Sequence, residues 1–490
     1  MSEDGYTMSE NDQLLRQWAR EVVDKYHETV QQDPYRLHYH LMPPVGLLND
    51  PNGLIQFKGV YHVFYQWNPF ETAHGAKFWG HYTSKDLLHW QEEPIALAPS
   101  EWYDKNGCYS GSAIEWEGKM YLFYTGNVKQ ADGERETYQC LAVSEDGIHF
   151  EKVGPVLQLP KGYTAHFRDP KVWRQGDRWF MVLGAQTVKE QGAIALFHSK
   201  DLYEWEEAGT IAGSGLNGLD DFGYMWECPD LIHLDGQDIL LVSPQGLEAR
   251  GHDYQNLFQS GYFAGEFDER ELVYEHGPFT ELDRGFDFYA PQTFMDDTGR
   301  TILYGWMGMT DEAEQHQPTI SHRWVHALTM PRELHFENGC LYQSPLDEMK
   351  GLRENKLQAE LVLDGAGQFP PLIGGKSIEL MIELLELQGG KFTITLRNSA
   401  ELIYDANKSE VILKRRNVKT GALESRTCVI SSLSRIHVFL DHSSLEVFLN
   451  GGEKVFTARY FPKPDDESIA FSGEAVVRVE KWDLQGFVVD

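Results

Sequence analysis

A short apolar strand opened by a tight turn recurs five times along this chain, at intervals of about 60 residues. The strands occupy residues 61–65, 120–124, 179–183, 239–242 and 301–304, and turns such as Lys58-Gly59 and Asp235-Gly236 lead into them. A fixed period longer than one hairpin, built of short strands, points to radial repetition, and a unit of this length fits one four-stranded propeller blade. Some ten to twelve residues before each strand lie Asn49-Asp50-Pro51-Asn52-Gly53, Tyr109-Ser110-Gly111-Ser112, Arg168-Asp169-Pro170, Glu227-Cys228-Pro229-Asp230 and Tyr289-Ala290-Pro291-Gln292. Asp50, Asp169 and Glu227 thus hold corresponding places in repeats one, three and four. In a closed propeller such places face one axis, so acids far apart in sequence are expected to meet in one funnel.

A second echo supports the period. Ser84 with Asp86, Ser144 with Asp146 and Ser199 with Asp201 are each followed four residues after the Asp by an aromatic, Trp90, Phe150 or Trp205. Ser and Asp suit a turn and the aromatic suits an outer strand, so these acids are expected to be structural. Before the repeats, Leu14, Leu15, Trp18, Val22, Val23 and Tyr26 recur at helical spacing behind the capping residues Ser9 and Asp12, which predicts an amphipathic helix over residues 9–30. After residue 334 the rhythm stops. Alternation in 377–382, 391–396, 435–440 and 444–449 then predicts strands with one buried face, most economically a β-sandwich. The expected division is a helical extension (1–35), a propeller (36–336), a linker (337–355) and a sandwich (356–490).

Composition narrows the function. With 43 Lys plus Arg against 75 Asp plus Glu, a formal charge of −32 repels nucleic acid and anionic lipid. The charged start lacks a secretory apolar core and no run is long enough to span a membrane. Five scattered cysteines show neither a disulfide framework nor metal-ligand spacing, so a reducing cytoplasm is expected. Neither cofactor nor metal is expected. Gly213-Ser-Gly215-Leu-Asn-Gly218 lacks the βα context of a dinucleotide fingerprint, and His322 with His326 lacks an acid partner pattern.

Paired carboxylates across an anomeric carbon are the minimum apparatus for glycosidic cleavage. Asp50 lies in a tight turn whose amides can hold an anion, which suits a nucleophile. Glu227, between Trp226 and Cys228-Pro229, has weakly polar neighbours that disfavour charge, which suits a proton donor. Asp169 follows Arg168, whose guanidinium is expected to keep it ionised, which suits holding sugar hydroxyls and a developing cationic ring rather than shuttling protons. Trp67, Trp79, Tyr109, Trp226, Tyr289 and Trp306 lie in or near the axial segments and could stack on sugars, while Asn49, Gln66 and Ser110 could bond hydroxyls.

The runs Leu47-Leu-Asn-Asp-Pro-Asn-Gly53, Phe167-Arg-Asp-Pro170, Trp226-Glu-Cys-Pro-Asp230 and Tyr109-Ser-Gly-Ser112, with Trp79-Gly-His81, Pro331-Arg-Glu-Leu334 and Ser443-Ser-Leu-Glu-Val-Phe448, resemble glycoside hydrolase family 32, the invertases and fructan hydrolases. The opening at 40–48 is most similar to that of the family's bacterial sucrose-6-phosphate hydrolases. The resemblance implies an all-β fold, a five-bladed β-propeller followed by a β-sandwich, and hydrolysis with retention. It also implies Asp50 as nucleophile, Glu227 as acid/base and Asp169 as transition-state stabiliser, with Asn49, Gln66, Trp79, Tyr109, Ser110, Arg168 and Trp306 as expected substrate contacts. The expected partner is a small sugar: sucrose, sucrose 6-phosphate or a short fructo-oligosaccharide. An exo-fructanase, a fructosyltransferase and a binding propeller without turnover are the alternatives. Arg36, His38, His40 and Lys77 are the candidates for holding a phosphate.

Overall fold

The computed structural model describes residues 8–370 and 372–490; residues 1–7 of the expected helical extension lie outside the described residues. One helix, α1 (Glu10–Gln31), starts where its capping residues predict, with the Asp12 N–H donating to the Ser9 hydroxyl at 3.2 Å. Its apolar side, including Leu15, Val22, Val23, Tyr26 and Val30, packs against the core between the first and last propeller sheets.

Beyond α1 and the short 3-10 turns Glu314–His316, Pro318–His322 and Asp347–Leu352, the described residues form an all-β fold, a β-propeller followed by a sandwich-like sheet. Each repeat folds into its own sheet, in which the segment bearing the axial motif pairs antiparallel with the apolar strand after it. The motif strands are Gly46–Phe57, Cys108–Trp116, Tyr163–Gln175, Met225–Leu234 and Tyr289–Met295; their partners are Val60–Asn68, Lys119–Lys129, Arg178–Thr187, Gln237–Gln245 and Thr301–Met307. Successive motif strands touch, and the last touches the first. Apolar clusters fill the spaces between neighbouring sheets, because both faces of each sheet are covered and the paired strands read as near-continuous apolar runs.

Across the axis the lacing is polar. Gln292 accepts from the Leu54 N–H at 3.1 Å and donates to the Gly111 carbonyl at 2.9 Å, so one amide ties three sheets together. The first sheet is completed from afar: Trp324–Val325 adds beside Gly46–Phe57, and Val488–Val489 adds beside His89–Glu92, both in parallel.

The C-terminal part is a sheet of nine strands running from Arg353–Asp364 to Ile469–Leu484, closed on a single apolar core that includes Leu380, Ile394, Val438, Val447 and Phe471. The segments 377–382 and 391–396, expected as separate strands, belong to one long strand, Ile378–Leu396, because Ile469–Leu484 pairs along both. Register shifts opposite Glu386 and Phe392 absorb the bend between them.

Propeller and sandwich meet through buried charges. The His40 ring contacts Asp441 at 2.8 Å through Nδ1 and Glu446 at 2.7 Å through Nε2, while Arg332 donates to Glu446 at 2.7 Å and to Thr457 at 2.7 Å. Arg36 is half-buried, with its guanidinium over the Trp324 ring, and the exposed His38 stacks on His442. Three of the four phosphate candidates are therefore structural residues of this region: they sit where chain entry, propeller and sandwich converge, and two of them are engaged by Asp441, His38 through its backbone N–H.

Candidate active site

Every motif strand breaks register at its motif. The shifts fall between Leu48 and Pro51, Cys108 and Gly111, Arg168 and Lys171, Glu227 and Asp230, and Tyr289 and Gln292. A bulge frees residues from the ladder and re-aims their side chains. Here it does so at each axial motif. Asp169, Cys228 and Ala290 adopt left-handed backbone, with φ of 67°, 49° and 50°, and each precedes a proline, which has no N–H for the interrupted ladder to lose. Such conformations cost on the order of 1 kcal/mol or more and persist only where the surroundings enforce them.

The bulges bring the acids together. One ligand atom each from Asp50, Asp169 and Cys228 all lie within 4.8 Å of one another. The Cys228 N–H donates to Asp169 Oδ2 at 2.9 Å, and its thiol sits 3.5 Å from that oxygen and 3.6 Å from Asp50 Oδ2. Burial and the flanking carboxylates push this thiol well above its ordinary range, so it stays a neutral donor between two acids. Glu227 joins them in a cavity of about 320 Å³ that is also lined by Asn49, Gln66, His74, Lys77, Tyr109, Ser110, Arg168, Gln245, Tyr289 and Trp306.

Asp50 accepts from the Ser110 hydroxyl at 2.6 Å and from Asn49 Nδ2 at 3.2 Å. Asn49 is itself held by Gln66 at 2.8 Å and by Lys77 Nζ at 2.7 Å, and Lys77 reaches His74 at 3.0 Å. His74 and His326 both bond Glu314 at 2.8 Å, which anchors this chain of contacts to the far wall. Burial raises the Asp50 carboxyl above its usual value despite the Ser110 bond. Burial, together with the Glu227 charge, raises Asp169 to about 7.

Two local expectations are corrected. The Arg168 guanidinium does not hold Asp169 in its ordinary range, because burial outweighs it and the same guanidinium also reaches Glu227 Oε1 at 3.5 Å. Nor is Glu227 in apolar company, because strand alternation buries Trp226 in the core and turns Glu227 toward Arg168, Gln245 and the Tyr289 hydroxyl at 3.3 Å.

Of the expected substrate contacts, Asn49, Gln66, Tyr109, Ser110, Arg168 and Trp306 line the cavity. Trp79 does not: it is fully buried between the first two sheets and donates to the Tyr109 carbonyl at 3.0 Å, bracing the wall from behind. Trp67 and Trp226, also offered as stacking faces, are core residues, whereas Tyr289 does line the cavity. Sequence reasoning missed His74, Lys129, Arg135, Gln245 and Thr310. Gln245 ends the strand opposite Glu227 and a register argument could have found it; the others lie on connections or at strand ends outside the axial motifs.

Comparison with known proteins gives a consistent picture. Residues 40–345 match the glycosyl hydrolases family 32 N-terminal domain and residues 348–484 the family 32 C-terminal domain. The chain is 52% identical to a sucrose-6-phosphate hydrolase of Bacillus subtilis, over 97% of this chain and 100% of that protein. It is 46% identical to one of Klebsiella pneumoniae, over 94% and 95%. Among solved structures, a sucrose-6-phosphate hydrolase from Lactobacillus gasseri superposes with a TM-score of 0.86 at 32% identity, covering 96% of this chain and 97% of that one. A Bombyx mori GH32 beta-fructofuranosidase does so with 0.84 at 33%, covering 97% and 99%.

Proposed function

The chain belongs to glycosyl hydrolase family 32, and from that premise we propose that it is a β-fructofuranosidase that hydrolyses sucrose or sucrose 6-phosphate with retention, through a covalent fructosyl–Asp50 intermediate. The observation that carries this reading is the convergence of Asp50, Asp169 and Glu227 on one cavity from three sheets. The Asp50 carboxylate attacks the anomeric carbon of the fructosyl ring while Glu227 gives a proton to the departing oxygen; water, deprotonated by Glu227, then releases fructose and restores Asp50. Asp169 accepts hydrogen bonds from ring hydroxyls and opposes the positive charge that develops on the ring. Asn49 and Gln66, locked by Lys77, orient the sugar beside Asp50. The neutral thiol of Cys228 keeps Asp50 and Asp169 apart without adding charge.

All five propeller sheets are read as blades, supported by the contact of the last motif strand with the first. A propeller domain followed by a sandwich domain is supported by the family models, which meet between 345 and 348, but the expected linker of 337–355 is too long: Cys340–Pro345 pairs with Arg332–Glu337 in the last propeller sheet, and the first sandwich strand starts at Arg353. A cytoplasmic site of action is supported by the scattered free thiols; among the described residues no helix is long and apolar enough to cross a membrane.

Asp50→Asn and Glu227→Gln should each lower kcat on sucrose by several orders of magnitude in a protein that melts normally. Near-normal turnover in either would end this assignment. Retention is read separately, by NMR of the first fructose released: the β anomer is expected, and the α anomer would rule out the covalent route.

A further inference from the structure

Four Lys and Arg side chains line the cavity, and among the described residues only two of them have partners within it. Lys77 is bound to Asn49 and His74, and Arg168 is paired with Glu227. Lys129 and Arg135 are different. They face each other directly across the hairpin formed by Lys119–Lys129 and Arg135–Ser144, and like charges in that position repel. Among the described residues neither side chain has a carboxylate within ion-pair distance, although Asp132 and Glu134 lie in the turn between them; the side-chain contact Arg135 makes is with His166 Nδ1 at 3.4 Å. In a chain of net charge −32, two opposed cations left unpaired beside a sugar cavity call for an anion that arrives with the substrate.

The position of these charges says which part of the substrate carries it. His166 Nδ1 also contacts Arg168 at 3.2 Å, and Arg168 reaches Glu227, so the line Arg135, His166, Arg168 runs outward from the acid/base. Asn49, Gln66 and Lys77 stand on the other side, around Asp50. The leaving sugar must sit against the group that protonates it. Partial burial and the two guanidiniums hold the His166 pKa down to about 4, so the ring is neutral, accepts at Nδ1 and presents its Nε2–H as a further donor.

We propose that Lys129 and Arg135, with the Nε2–H of His166, form a subsite for a phosphomonoester on the primary hydroxyl of the departing aldose, and so make the phosphorylated disaccharide the preferred substrate. The guanidinium offers a planar fork to two phosphate oxygens and the ammonium a point charge to the third. This rests on the fructofuranosidase reading, and the experiment separates the two.

The specificity constants for sucrose and sucrose 6-phosphate are measured for the wild type, Lys129→Gln, Arg135→Gln and the double variant, with inorganic phosphate as a competing probe against sucrose. The wild type should favour the 6-phosphate. Each single variant should lose about 10-fold in kcat/KM on it and the pair about 100-fold, the range expected for charge-assisted bonds, while sucrose changes by no more than about threefold, which also reports an intact fold. Inorganic phosphate should inhibit the wild type competitively and the double variant less. Equal kcat/KM for the two sugars in the wild type, parallel losses on both in the variants, or phosphate inhibition unchanged by the substitutions would each overturn the subsite and leave the hydrolase standing. Failure of the wild type to cleave either sugar would instead remove the reading beneath it.

Discussion

Burial and the Glu227 charge raise Asp169 from an ordinary 3.8 to about 7, so this carboxylate acts against the fold that positions it. Between about pH 4 and pH 7 the folded protein retains a proton that the unfolded chain has released, and stability falls as pH rises through that window. Above it the ionised group remains as a constant cost. Asp169→Asn keeps an acceptor for the Cys228 N–H and removes the charge. It is expected to raise the melting temperature by a few degrees at pH 8, equivalent to about 1–3 kcal/mol, with the gain shrinking toward pH 4, while turnover collapses. A variant that melts lower than wild type at pH 8 would show that the carboxylate is compensated in the apo protein. The same shift predicts that wild-type kcat/KM declines as pH falls below about 7, since the protonated acid cannot oppose a cationic ring.

At the scale of elements, the Ser-x-Asp echo is what its residues predict. The Ser199 hydroxyl accepts from the Leu202 N–H at 2.9 Å, and Asp201 accepts from Tyr203 and Glu204 at 2.9 Å each; the turns at Ser84 and Ser144 repeat the pattern. Asp201→Ala, which removes three bonds at an exposed turn, from the Ser199 hydroxyl and the Tyr203 and Glu204 N–H groups, should cost about 1 kcal/mol and leave kcat unchanged; a drop in kcat would contradict the purely structural role. These turns, the 60-residue period and the axial acids were legible because each depends on neighbours in sequence. Trp79 was misplaced because it stands on Phe78–Ser84, two strands outward from the axial motif of its sheet, where its ring packs into the core between the first two sheets. Lys129 and Arg135 were invisible for the opposite reason. Their meaning comes from a hairpin register and a cavity that no single segment encodes. The added strand Val488–Val489 depends likewise on where the far end of the chain returns.

For the molecule as a whole, the join between propeller and sandwich holds a group that titrates in alkali. Burial alone would discharge His40, yet its bonds to Asp441 and Glu446 outweigh that and raise its pKa to about 9, with Arg332 on the far side of Glu446 and Tyr39 beside it. The imidazolium therefore bridges the two domains from within the interface. Its folded value stands above the ordinary 6.5, so its contribution is complete below about pH 6.5 and is lost as pH rises through about 9. The shift is worth about 3 kcal/mol at most. His40→Ala leaves Asp441 and Glu446 short of a buried partner and should cost about 3–5 kcal/mol at pH 6, with the difference from wild type narrowing by pH 10. Thermal melts of both proteins across that range decide it. If the two curves keep a constant separation, the ring does not carry its proton in the folded state, and the interface is held by Arg332 and apolar packing instead.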